Sequence, residues 1–271
     1  MPVRLASRLL LAALALAVAL AAWVIAGLPS RSAVRDLARR NPTTTALMEQ
    51  RAREAKAKRR AARREQFWAP LPAVSRSLIQ AVLVAEDVKF LGHAGLDWEA
   101  IQESLRRDIR ERRFARGGST ITQQLAKNLF LSTSKDPIRK LRELVLARWL
   151  EEDLSKRRIL ELYLNVIEWG DGVYGCEAAA LRYYGKRSAD LDAQEAAGLA
   201  AMIPNPRRIN PQASPARHAR AQRRILWLMA RAGYVKQGTA GLGAEPPELP
   251  PPAEDADVGA EATAESEGGG R

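Results

Sequence analysis

The sequence predicts a mostly α-helical protein: one helical domain behind a single N-terminal transmembrane helix. Three observations predict it. Residues 9–28, LLLAALALAVALAAWVIAGL, hold no charge, and as a helix they reach about 30 Å, the thickness of a bilayer's hydrocarbon core. Between 67 and about 235 helix-start signals recur, and no run of alternating apolar and polar residues marks a strand. From 236 onward Pro, Gly, Ala and Glu displace the large apolar side chains, a composition that cannot bury a core and predicts a disordered acidic tail over 236–271.

The elements follow in order. Residues 1–8 form a short cytoplasmic N-terminus carrying Arg4 and Arg8. The apolar run 9–28 admits two readings. The triplet Ala19-Leu20-Ala21 permits a cleaved secretory signal, but the run exceeds the usual ~7–15 residues of a signal's apolar region, which favours an uncleaved anchor. Arg31, Arg35, Arg39 and Arg40 follow the span, so a local count of positive charge places the body in the cytoplasm. Residues 29–66 read as a basic juxtamembrane linker, with 46–66 a solvated helix of Ala-rich composition able to rest on anionic headgroups. In the domain over 67–235, Ser75 caps a helix, Asp97 caps one in which Trp98, Ile101, Leu105 and Ile109 recur, and Asp136-Pro137 is an N-cap with proline at the first helical position. Ser155 opens SKRRILELYLN, Asp192 and Glu195 have capping-box spacing, and Ser214-Pro215 starts a last helix that Gly233 ends.

Composition narrows the chemistry. Cys176 is the one cysteine, so there is no internal disulfide or cysteine-rich metal site. His93 and His218 are the two histidines, which leaves no histidine cluster for a metal. The net charge of +12 is uneven: residues 237–271 hold eight acids and one base, a net of −7, so residues 1–236 carry +19. A body that basic suits an anionic partner: nucleic acid, a bilayer surface or a phosphate-bearing substrate.

Four stretches carry candidate chemistry. In SRSLIQAVLVAEDVKFLGHAG, Ile79, Val82 and Leu83 precede Glu86 by seven, four and three positions, so Glu86 lies on or beside the apolar stripe. It is either a helix-end acid that escapes to water or an acid that the protein uses. In GGSTITQQLAKNLF, Gly117 and Gly118 precede Ser119 and Thr120 at a helix start, where backbone N–H groups and hydroxyls suit a phosphate. Gln123, Gln124 and Lys127 share a face of that helix, with Asn128 following. In DPIRKLRELVLARWLEEDLSK, Arg139 and Lys140 stand four and three residues before Glu143, and Leu141, Leu144, Val145 and Ala147 supply the buried side. In ILELYLNVIEWGDGVYGCEAAALRYYGK, Gly170, Gly172 and Gly175 make a loop. Cys176 reads as a small core residue and His218, among arginines, as solvated.

Together these stretches resemble the peptidoglycan glycosyltransferases, glycosyltransferase family 51. EDVKFLGHAG at 86–95, GGSTITQQLAKNLF at 117–130, RKLRE at 139–143, ILELYLN at 159–165 and AAALRYYGK at 178–186 carry the resemblance, which covers about 67–212. EWGDGVYG at 168–175 looks most like the monofunctional biosynthetic transglycosylase branch, which lacks a transpeptidase domain. The string Ser132–Lys135 matches S-x-x-K but has no S-x-N or K-T-G partner. Val88 departs from the family, whose members more often carry a polar residue there.

The resemblance implies a lysozyme-like helical glycosyltransferase domain. Its implied activity is polymerisation of lipid II onto a lipid-linked glycan strand in cell wall biosynthesis, with inversion to β-1,4 bonds and release of undecaprenyl pyrophosphate. Glu86 is then the catalytic base and Glu143 a second, supporting glutamate. Ser119, Thr120, Gln123, Gln124, Lys127, Asn128, Arg139 and Lys140 bind substrate and pyrophosphate, while Asp87, Phe90, His93 and Gly118 support the site. A divalent metal ion, Mg or Mn, is implied near Glu143. The implied partners are lipid II, inner-membrane lipids and other cell-wall synthesis proteins, with no nucleic acid. The implied location is the inner membrane, single-pass, with the domain in the periplasm. That placement opposes the arginine count, but large domains translocate largely regardless of flanking charge. Two rivals remain: a glycan-cleaving enzyme of similar fold, and a membrane-tethered scaffold or nucleic-acid binder built on the basic 51–64 segment.

Overall fold

The computed structural model describes residues 2–97, 99, 102, 103, 106, 118–133 and 136–236. The helix expected after Asp97, residue Gly117, the end of the Ser132–Lys135 string and the acidic tail from 237 lie outside the described residues. Ten α-helices are described: α1 (Pro2–Ala26), α2 (Arg31–Asp36), α3 (Ala46–Ala57), α4 (Arg76–Glu86), α5 (Ile121–Phe130), α6 (Pro137–Asp153), α7 (Lys156–Val166), α8 (Cys176–Tyr184), α9 (Ala193–Ala200) and α10 (Pro215–Arg231). Three short strands, β1 (Glu65–Gln66), β2 (Glu168–Gly170) and β3 (Val173–Tyr174), form a small sheet in the order β1-β3-β2.

Local chemistry sets most helix starts. Ser75 Oγ accepts from the Leu78 N–H, Asp136 from Ile138, and Ser155 from Arg158. Asp192 and Glu195 form a reciprocal capping box. Each such cap contributes about 1 kcal/mol. Ser214 opens α10 without a side-chain cap; its hydroxyl donates to the Arg208 carbonyl instead. Past the end of α10, Gly233 takes φ of 75°, the left-handed conformation that glycine adopts without strain.

The core is built around α5 and α7. Ile121, Leu125 and Ala126 of α5 and Ile159, Leu162, Tyr163 and Leu164 of α7 are fully buried. α5 packs on α6 and α7, while α4 packs on α9 and α10. Truncating one of these leucines, Leu125→Ala for instance, removes about 2–5 kcal/mol.

Three expectations are corrected. α6 buries Glu143, Leu146, Ala147 and Leu150 rather than Leu141, Leu144 and Val145. The two candidate apolar stripes lie on adjacent faces, and packing against α5 selects the one that includes the acid. His218 is buried, not solvated: it lies seven, eight and eleven residues before Ile225, Leu226 and Met229, on the stripe facing α9, and its Nε2 reaches the Gly198 carbonyl at 2.9 Å. Burial lowers its pKa. The segment 46–66 is not one solvated helix. α3 stops at Ala57, buries Leu47 and Met48, and packs on α5. The chain then turns through Arg59, with φ of 52°, and pairs Glu65–Gln66 in parallel with Val173–Tyr174.

The chain before the domain is stapled to α6 and α7. α1 runs for 25 residues and leaves Leu10, Leu14, Leu16, Val18 and Ile25 exposed. Counting only described side chains, no helix is long and apolar enough to cross a membrane. The Arg142 guanidinium donates to the Trp23 and Val24 carbonyls at the end of α1. Arg31 pairs with Glu152 and Asp153. Arg158 donates to the Leu37 and Arg40 carbonyls and to Asn41 Oδ1.

Candidate active site

Glu86 is the last residue of α4, where the heptad-like spacing of Ile79, Val82 and Leu83 turns it towards the body. It is half-buried, and its Oε2 accepts from Gln124 Nε2 at 2.7 Å. Gln124 Oε1 in turn accepts from the hydroxyl of Tyr163 at 2.9 Å. Burial raises the pKa of Glu86; the Gln124 hydrogen bond and the Lys127 charge oppose that rise, and neighbouring Asp87 adds to it. The acid does not escape to water.

Asp87 has a different task. Its carboxylate accepts from the Ile121 N–H at 3.0 Å, at the first turn of α5, and from His93 Nε2 at 2.9 Å. His93 Nδ1 accepts from the Gly95 N–H, so the ring proton resides on Nε2. The Phe90 ring meets His93 edge-on at 6.3 Å, and Lys156 Nζ lies 4.4 Å from the Phe90 centroid. Asp87, Phe90 and His93 thus tie the loop after Glu86 to the start of α5.

The predicted substrate-binding residues of α5 divide into two sets. Thr120 is the N-cap and forms a capping box with Gln123, and its hydroxyl donates to the Gly95 carbonyl at 2.7 Å. Thr120 and Gln123 are therefore committed to the helix start and buried. The T-x-x-Q spacing in the sequence encodes this box, so Thr120 and Gln123 start the helix rather than form part of a binding face. Gln124 and Lys127 lie on the partly open face. Asn128 is largely buried one turn beyond Gln124, and Gly118 leads into exposed Ser119.

Glu143 anchors a cation cluster. It is 3% exposed; Arg139 Nη1 reaches its Oε2 at 2.6 Å, and Lys140 Nζ pairs with its Oε1. Lys140 Nζ also meets Ser119 Oγ at 3.1 Å, which joins α6 to the entry of α5. Burial lowers the pKa of Lys127; Glu143 and Glu86 oppose that, and Arg139 and Lys140 reinforce it. Lys127 is thus electrostatically coupled to both glutamates and to both other cations, which joins the two halves of the site.

A divalent ion does not fit Glu143 as it is held. Both carboxylate oxygens are engaged by cations, and among the described residues no cluster of three or more His, Cys, Asp or Glu could hold a metal. A cavity of about 720 Å³ lies across the loop, lined by Val84, Val88, Phe90, Leu91, His93 and Tyr234 among others. Its lining does not include Glu86, Lys127 or Glu143, which stand on α4, α5 and α6.

Sequence reasoning missed Tyr163, which sits on the buried stripe of α7 and reads as plain core. A carboxylate whose pKa burial raises, with Lys127 beside it and a second carboxylate holding Arg139 and Lys140, suits group transfer with an anionic leaving group. The chain belongs to the Transglycosylase family, which matches residues 52–230. It is 49% identical over 183 residues to a biosynthetic peptidoglycan transglycosylase of Aromatoleum aromaticum, covering 68% of this chain and 80% of that one. It is 50% identical over 167 residues to a protein of the same name from Thiobacillus denitrificans, covering 62% and 72%. For the corresponding protein of Nitrosospira multiformis the figures are 45% over 192 residues, 71% and 84%. The match begins inside α3, ahead of the boundary expected at 67.

Proposed function

We propose that this chain polymerises peptidoglycan glycan strands from lipid II. The acceptor hydroxyl of lipid II loses its proton to Glu86 and attacks the anomeric carbon of the lipid-linked strand. The bond from that carbon to the pyrophosphate oxygen breaks, and the electron pair leaves with undecaprenyl pyrophosphate. Attack opposite the leaving group inverts an α-linked donor to a β-1,4 bond. The single observation that carries this reading is the placement of Glu86, bonded to Gln124 of α5, beside the Arg139–Lys140–Glu143 cluster of α6, the helix packed on α5.

Each group has a task in this reading. Glu86, its pKa raised by burial, works as a base near neutral pH. Lys127, Arg139 and Lys140 offset the charge growing on the pyrophosphate, and Arg139 offers a fork for phosphate oxygens. Glu143 holds the cations in place. The apolar run 9–28 serves as the membrane anchor, and the staples to α6 hold the site beside the bilayer where the lipid-linked substrates reside. The domain is assigned to the periplasmic side, and one activity, polymerisation, is assigned to it.

Cleavage of finished glycan is the enzymatic rival. It must protonate a sugar oxygen as the bond breaks and has no use for three cations. Incubation with lipid II and, separately, with purified sacculi decides between them. The proposal expects new glycan strands from lipid II and no soluble fragments from sacculi. Fragments from sacculi without strands from lipid II would refute it.

A further inference from the structure

Resting on the reading of Glu86 as the base, we infer that Tyr163 is a positioning residue that keeps Glu86 an acceptor of protons by fixing which end of the Gln124 amide faces it. The geometry is a chain of two hydrogen bonds, from Tyr163 to Gln124 and from Gln124 to Glu86.

The direction of the chain follows from the donors available. A carboxylate that is to take a proton must start ionised, and an ionised carboxylate only accepts hydrogen bonds. Gln124 must therefore present its NH₂ to Glu86, which leaves its carbonyl oxygen facing α7. That oxygen needs a donor, and the buried hydroxyl of Tyr163 supplies it at 2.9 Å. Tyr163 is fully buried, and burial together with the charges of Glu86 and Asp87 holds its hydroxyl well above the usual phenol range, so it stays a donor. With the hydroxyl removed, the amide carbonyl loses its donor and only the bond to Glu86 favours the present orientation. Turned over, it offers a carbonyl to Glu86, and that arrangement is favourable only when Glu86 carries a proton.

The other charged groups around Glu86 do not duplicate this role. Lys127 on α5 favours the ionised form through space, and Asp87, beside it on the chain, opposes it. Asp87 is itself occupied by His93 and the Ile121 N–H. Arg139, Lys140 and Glu143 of α6 are engaged with one another and with Lys127. Gln124 is the hydrogen-bond donor that the structure places on Glu86, and Tyr163 is the group that orients it.

The test is the pH profile of kcat/KM for polymerisation of lipid II in detergent micelles by the full chain. The rate rises with pH as Glu86 ionises. In Tyr163→Phe that rising limb should move up by about one pH unit, a tenfold loss on the acid side with much less loss on the plateau. Gln124→Met should move it in the same direction, and the double variant no further than Gln124→Met alone, because the tyrosine acts only through the amide. If Tyr163→Phe yields no folded protein, 3-fluorotyrosine at position 163, a stronger donor of nearly the same shape, should move the limb down. A limb that stays in place in these variants, whatever the plateau does, overturns the inference. That outcome is distinct from failure of the underlying reading, in which Glu86→Gln itself keeps polymerising.

Discussion

Neutralising Glu143 in place tests whether this acid organises the cations. Glu143→Gln keeps the shape and removes the charge that Arg139 and Lys140 share. Breaking a fully buried ion pair costs about 3–5 kcal/mol. Here the acid is buried, the arginine side chain is 15% exposed and the lysine 42%, so solvent screens part of the interaction. A loss of about 2 kcal/mol follows from those limits. For a domain of this size that lowers Tm by about 4–8 °C. The substitution also removes the carboxylate that most opposes the lowering of the Lys127 pKa. Lys127, Arg139 and Lys140 then lose the counter-charge of Glu143, and an added anion should repair them. Thermal melting with and without inorganic diphosphate is the assay. The variant should melt lower than the parent chain and should gain more Tm from diphosphate than the parent does. A variant that melts like the parent and responds equally to diphosphate would show that Glu143 does not hold the cluster together.

Two further predictions concern pH and backbone. Lys127 has a pKa lowered mainly by burial, so diphosphate affinity should fall as pH rises through that lowered value, ahead of an ordinary lysine. Stability should move the other way: between the lowered folded value and the ordinary lysine value of 10.5 the unfolded chain holds the extra proton, and unfolding free energy rises with pH. Diphosphate titrations and urea melts across alkaline pH, compared with Lys127→Met, check both signs. Gly175→Ala should destabilise the loop after β3 by about 1–3 kcal/mol, since φ is +82° and the new Cβ would lie 3.0 Å from the Asn165 carbonyl oxygen; a shift in the urea midpoint without a change in slope is the expected result.

What could be read in advance was chemistry encoded within a few residues. The Ser75, Asp136, Ser155 and Asp192 caps, and the inward turn of Glu86, depend on spacings of two to seven positions. What could not be read depended on which neighbour packs where. α6 offers two apolar stripes, and only contact with α5 selects the one carrying Glu143. Two-residue strands such as Glu65–Gln66 have no periodicity to detect; their partners lie more than a hundred residues away. Tyr163 is apolar core by pattern and reveals its role only when its hydroxyl meets Gln124. Gln123 and His218 differ from these: the T-x-x-Q box and the stripe shared with Ile225 and Met229 are both legible in the sequence.

Polymerisation of lipid II by the full chain, measured against Glu86→Gln, addresses the central claim most directly. The account predicts that the variant folds, still binds lipid II and loses activity by about 10²–10⁴-fold, the usual share of a positioned base. A Glu86→Gln protein that polymerises at the parent rate would contradict it.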